Sequence, residues 1–148
     1  MKNYNIEFVD GNYEPETGKS WAKVSVNGKT FYGESHLLPE DKDKASKFAG
    51  CRFAEIKAEI KALKYLRRRK KAECEYYRNF VKSLGCYKNF DKNSPTAKCV
   101  YKQLNKRIKE VNDITDRINS VYSEFLAVIR QRDIVLKAID RKKQTKES

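Results

Sequence analysis

The chain has 148 residues, 39% hydrophobic and 36% charged, with 33 Lys and Arg against 20 Asp and Glu for a net charge of +13. That length favours a single domain, and the balance excludes both a large apolar core and a disordered chain. No run approaches the ~18 apolar residues of a membrane span, and residues 1–10 lack the basic-then-apolar layout of a signal peptide, so a cytoplasmic setting with reduced cysteines is expected.

The chain opens with an alternating stretch, Tyr4-Asn5-Ile6-Glu7-Phe8, the pattern of a half-buried strand. Asp10-Gly11-Asn12 and the segment from Pro15 to Gly18 read as turns. Trp21 to Val26 predicts a second strand with Ala22, Val24 and Val26 on one face. Asn27-Gly28 then marks a tight hairpin, because both residue types tolerate positive φ. Thr30 to Glu34 returns as a third strand. Such a sheet is marginal alone and must pack on a helix.

With only 6 Gly and 3 Pro in the chain, long uninterrupted helices should follow. The first is predicted over 39–85, with Asp41, Asp43 and Ser46 as alternative N-terminal caps and Gly85 as its stop. Apolar or small residues recur at Ala49, Phe53, Ile56, Ile60 and Leu63, then at Cys74, Tyr77, Val81 and Leu84. Steps of three and four are a coiled-coil period. After a loop, Ser94-Pro95 supplies an N-cap and a first helical proline for a second helix over 94–142. Its ridge runs through Val100, Leu104, Ile108, Val111, Ile114, Ile118, Val121, Phe125, Ile129, Leu136 and Ile139. Residues 143–148 read as a frayed tail. The expectation is one α+β domain, residues 1–148: a small three-stranded antiparallel sheet over 1–36, packed on a long antiparallel coiled-coil-like helix hairpin. The apolar seams also suit pairing between two chains, as a homodimer.

The seam has one flaw. Between Leu63 and Cys74 the period places Arg67 and Lys70, inside the run Arg67-Arg68-Arg69-Lys70-Lys71. Five clustered cations cannot all be buried without anions. Either the helix bends there, or the run faces solvent or a partner.

The basic excess belongs to the helical part: residues 1–35 carry 4 basic and 5 acidic residues, whereas 36–94 carry 16 and 8, and 95–148 carry 13 and 7. Such a field attracts nucleic acid, acidic protein surfaces or anionic membranes. The candidate binding residues are Arg67, Arg68, Arg69, Lys70 and Lys71, with Arg78 and Lys82 in support. Tyr65, Tyr76, Tyr77 and Phe80 are interleaved with them, and aromatics beside cations can stack on unpaired bases. A solvated helix face explains the same run less well, because Glu73 and Glu75 are the only acids near it. No zinc-finger or RNA-recognition signature is present, so sequence-specific reading of bases is not expected.

Catalysis is not expected either. The single histidine, His36, lies at a strand-to-helix junction, and the cysteines at 51, 74, 86 and 99 form no Cys-x-x-Cys pair. Cys51 and Cys74 read as buried small apolar positions. Glu40-Asp41-Lys42-Asp43 lacks the Gly and Glu of a calcium loop. Neither a metal nor a cofactor is predicted. Trp21, Phe31 and Tyr32 are expected to pack on Phe48 and Phe53 rather than to anchor a protein partner from the hairpin surface.

One stretch carries a resemblance. Gly33-Glu34-Ser35-His36-Leu37-Leu38-Pro39-Glu40-Asp41-Lys42-Asp43 runs on through Ser46, Gly50-Cys51, Ala54-Glu55, Lys57-Ala58 and Ile60-Lys61-Ala62-Leu63-Lys64. It resembles small proteins encoded by phages and integrated mobile elements of low-GC Gram-positive bacteria, over residues 20–66. Those carry a hairpin ending in Gly, a Pro-Glu-Asp turn and a helix with Gly-x-x-x-Ala-Glu. Some helix-rich proteins of that setting resemble anti-CRISPR inhibitors. The resemblance therefore implies a protein that binds and blocks a bacterial CRISPR effector nuclease, through the enzyme or through its guide RNA or target DNA. The alternative is a nonspecific nucleic-acid-binding accessory protein of phage replication or recombination. In physical terms, Gly50 would let the first helix approach the sheet, with Ala54 and Ala58 keeping that contact tight.

Overall fold

The computed structural model describes residues 4–36, 44–85 and 91–147. Three antiparallel strands, β1 (Glu7–Glu14), β2 (Lys19–Val26) and β3 (Lys29–His36), form a sheet in the order β1-β2-β3. Two long helices follow, α1 (Lys44–Leu84) and α2 (Pro95–Glu147). The fold is α+β, as the sequence predicts. Asn27 and Gly28 both take positive φ, 52° and 76°, and join Val26 to Lys29 through a two-residue hairpin.

The first strand differs from its sequence reading. It begins at Glu7 and runs straight through Asp10-Gly11-Asn12, with a register shift between Phe8 and Asp10. The bulge falls at Val9, the residue between them without a partner, and Gly11 pairs regularly with Ala22 inside the strand rather than forming a turn. A Cβ on Gly11 would lie 3.0 Å from both the Trp21 carbonyl oxygen and the Phe8 ring. The predicted start of the first helix, with its acidic caps Asp41 and Asp43, lies outside the described residues; Ser46, the third cap candidate, lies inside α1, which is already helical at Lys44. At the other end, α2 stays helical to Glu147, through the segment read as a tail.

The chain divides into two compact units: residues 1–62 with 119–148, and residues 63–118. In the first unit, Ser20, Ala22, Val24 and Val26 of β2 are buried together with Ala49, Ala54, Ile56, Ala58 and Ile60 of α1. The glycine that the sheet-to-helix approach requires is Gly33, on β3. A Cβ there would sit 2.2 Å from the Ala54 carbonyl oxygen and 2.6 Å from the Ala58 nitrogen. Gly50 is itself buried on the helix. Lys57 Nζ donates to the Glu34 carbonyl at 3.0 Å, and Lys61 Nζ to the Tyr32 carbonyl at 2.7 Å. These two lysines, one turn apart, satisfy carbonyls on the open edge of β3 that would otherwise invite another strand.

The inward face of the sheet is built from small residues because the helix lies so close. Trp21 therefore points outward and stacks on Tyr32, with ring centroids 6.4 Å apart. Phe48 is exposed, and Phe53 packs instead on Phe125 of α2 at 4.8 Å. Arg52 ties the same helices together, its Nε donating to Glu124 Oε1 at 2.9 Å. Cys51 is exposed, against expectation, with its Sγ 3.7 Å from Ser20 Oγ; Cys74 is buried as predicted.

In the second unit α1 and α2 lie antiparallel, since their partners run in opposite order: Arg67 with Thr115, Lys70 with Glu110, Glu73 with Arg107. The core holds Leu63 and Cys74 of α1 with Ala97, Val100, Leu104, Ile114 and Ile118 of α2. Gly85 ends α1 with its N–H donating to the Val81 carbonyl at 3.2 Å. Ser94 caps α2, its Oγ accepting from the Ala97 N–H at 3.2 Å.

Candidate functional site

The cationic run divides by helix geometry. At 100° per residue, positions 67 and 70 share the seam with Leu63 and Cys74, so Arg67 and Lys70 turn toward α2. The second helix supplies their partners. Arg67 Nη1 donates to Thr115 Oγ1 at 3.4 Å. Lys70 Nζ lies 2.7 Å from Glu110 and 3.2 Å from Glu73. Hydrogen bonding to Glu110 holds the Lys70 ammonium above the ordinary lysine range, against the opposing pull of desolvation. Arg107 completes the network, with Nε 3.5 Å from Glu73 and its guanidinium 4.5 Å from the centre of the Tyr77 ring. The helix thus needs no bend at the flawed seam. Two of the seven candidate residues turn inward, Arg67 onto Thr115 and Lys70 onto Glu73 and Glu110.

The remaining five candidates are exposed: Arg68, Arg69, Lys71, Arg78 and Lys82. Arg69 lies over the Tyr65 ring, 5.8 Å from its centroid. The other four fall on one flank of α1. With Lys64 and Glu75 they recur at 64, 68, 71, 75, 78 and 82, in alternating steps of four and three. All but Glu75 are cations, and the flank extends about 27 Å at 1.5 Å per residue. Arg78 reaches Glu75 only at 3.9 Å. Arg68 and Lys71 meet no carboxylate among the described residues. Lys71, Glu75 and Arg78 also border a shallow cavity of about 350 Å³ between the helices, floored by Cys74, Ile108 and Val111.

Sequence reasoning missed a second set of cations. Lys98, Lys102, Lys106 and Lys109 are all exposed on the outer side of α2. Their spacing of four, four and three was the available signal. The second unit as a whole carries 16 basic and 6 acidic residues, a net charge of +10, against +3 for the first.

The aromatics interleaved with the run also separate. Tyr77 is taken up by Arg107, whereas Tyr76 is 67% exposed and Phe80 40% exposed. His36 is exposed at the end of β3, 3.6 Å from Glu34. Among the described residues, no three His, Cys, Asp or Glu side chains come together as a metal site. No described helix is long and apolar enough to cross a membrane.

A comparison with known protein families, curated proteins and solved structures finds no match to this chain.

Proposed function

We propose that this chain is a non-enzymatic binding protein of a phage or mobile element, acting in the bacterial cytoplasm. It engages nucleic acid through the basic surface of the second unit and thereby blocks a CRISPR-type effector nuclease at its guide RNA or target DNA. The observation that carries the binding half is the exposed flank of α1, where Arg68 and Lys71 meet no carboxylate among the described residues and one acid stands among five cations. Phosphates are the anions that suit a row of evenly spaced cations, whereas an acidic protein face needs a matching pattern of carboxylates. The mobile-element setting is supported by the resemblance of residues 20–66. The regular, sequence-blind spacing also favours a second reading, a nonspecific nucleic-acid-binding accessory protein of phage replication or recombination.

The test is capture of the tagged protein's partners from a Gram-positive host lysate, with and without nuclease digestion, followed by cleavage assays on any effector recovered. An effector nuclease that co-purifies and loses cleavage activity when the protein is added is the expected result. Recovery of nucleic acid alone, with all protein lost on digestion, replaces inhibition by the accessory reading. Recovery of neither overturns both.

A further inference from the structure

The solvent side of α1 in the second unit has two borders, a cationic flank and an aromatic one that carries Arg69 seven residues before Tyr76. About a third of a turn round the helix from the cationic flank lie Tyr76 and Phe80, one turn apart. Both are large and uncovered, at 67% and 40% exposure. Exposed singly they would be unremarkable; side by side along a row of cations they are not. Ala72, one turn before Tyr76, and Asn79 beside it are exposed and short, so little stands over the Tyr76 ring. Tyr76 is also backed. Its ring meets Tyr77 edge-on at 5.4 Å, and Tyr77 is itself fixed against Arg107. The helix therefore offers a supported aromatic platform parallel to a line of phosphate-binding groups. The two are separated by roughly the width of one helix face, within an overall diameter of about 10–12 Å.

Resting on the nucleic-acid reading above, we infer that the second unit binds single-stranded nucleic acid in preference to duplex. The backbone follows Arg68, Lys71 and Arg78, and bases turned over the helix stack on Tyr76 and Phe80. A duplex satisfies the cations equally well but keeps its base faces inside the stack, where a ring on a helix surface cannot reach them. A single strand supplies both partners at once. The platform contacts π-faces rather than base edges, so it discriminates strandedness and not sequence. DNA and RNA strands present the same chemistry to it.

Fluorescence anisotropy decides this with the full chain and three labelled probes: a 20-nucleotide oligo-dT, a 20-nucleotide oligo-rU and a 20-base-pair duplex. The wild type should bind one or both single strands more tightly than the duplex; whichever it prefers identifies the sugar. Tyr76→Ala should weaken single-strand binding about 5- to 150-fold and leave duplex binding unchanged. Tyr76→Phe should restore it. Circular dichroism melts of each variant confirm that the fold is intact, which the exposure of Tyr76 favours. Equal affinity for strand and duplex, or a Tyr76→Ala change that weakens both alike, overturns the inference and leaves the nucleic-acid reading standing. Failure to bind any of the three probes overturns both.

Discussion

The two units draw on the same pair of helices yet handle charge in opposite ways. Residues 1–62 with 119–148 hold 17 basic and 14 acidic residues, and the cations there have local work. Lys19 pairs with Glu34 and Arg52 with Glu124, while Lys57 and Lys61 cap strand carbonyls. Residues 63–118 hold 16 basic against 6 acidic residues. There the acids Glu73 and Glu110 are drawn into the seam, and on the outer flank Arg68 and Lys71 meet no carboxylate among the described residues. Charge in the first unit is spent on holding its own fold. In the second, internal pairing neutralises one side of the helices and leaves Arg68 and Lys71 exposed on the other. A cation's sequence neighbours do not reveal which case applies; its position on the helix does.

The strongest way to break the first unit leaves charge untouched. Gly33→Ala places a Cβ against the Ala54 carbonyl and the Ala58 nitrogen, both backbone atoms that cannot swing aside. The sheet and helix must part, at a cost of about 3 kcal/mol or more. Gly28→Ala is the contrasting change: open space surrounds it, but its φ of +76° is strained for alanine, so it should cost only about 1 kcal/mol. Urea midpoints compare the two directly. Similar midpoints would mean that the close approach of β3 to α1 is not a determinant of stability.

The next largest effect belongs to the second unit and falls on binding. Replacing Arg68, Lys71 and Arg78 together by Gln removes three phosphate partners. For a single strand, the slope of log affinity against log salt should become shallower by about 2, and affinity near 0.1 M salt should fall about 100-fold. The thermal midpoint should scarcely move, since Arg68 and Lys71 pair with no carboxylate among the described residues. A triple variant that melts early but binds normally would reverse the assignment of this flank.

Glu110→Gln probes the neutralised side of the same helices. It takes the closest anion from Lys70, whose side chain is 37% exposed, so solvent screening limits the loss to about 1 kcal/mol. The sign of its pH dependence follows from the raised Lys70 pKa. The stabilisation is complete below the ordinary lysine value of about 10.4 and disappears as pH rises through the higher folded value. The gap in melting temperature between wild type and variant should be full at neutral pH and close above that range. A gap that persists in strong alkali would show that the glutamate acts through packing instead.

Much of this architecture is legible locally. Asn27-Gly28 carries its own turn geometry, Ser94-Pro95 its own cap, and the three-four ridges identify Leu63, Cys74, Leu104 and Ile118 as core. What the sequence conceals depends on partners far along the chain. Gly11 resembles a turn until its strand has a neighbour, in which it pairs with Ala22. Lys70 is a flaw in the seam until the antiparallel register brings Glu110 opposite it, forty residues on. Trp21 looks like core by size, but the close approach at Gly33 admits only small residues on that face and sends the indole outward. The candidate site shares this limit: composition locates the basic run, and only the helix pairing separates Arg68 and Lys71 from Arg67 and Lys70.

The smallest effect sharpens the comparison most, because it involves lysines on the same helix face by period as the basic flank. Lys57 and Lys61 continue the alternation of four and three backwards from Lys64. In sequence they are indistinguishable from phosphate-binding residues, yet their ammonium groups are held by the Glu34 and Tyr32 carbonyls. Changing both to Gln should therefore lower stability by about 1 kcal/mol in total, near the usual net value of such hydrogen bonds at an exposed edge, and free the outer edge of β3. Nucleic-acid affinity and its salt slope should stay as in the wild type. Light scattering at raised concentration should report new edge-to-edge association. If this double change instead shallows the salt slope as removal of two phosphate contacts would, the lysines leave the strand to meet the ligand, and the division of charge between the units does not hold in the bound state.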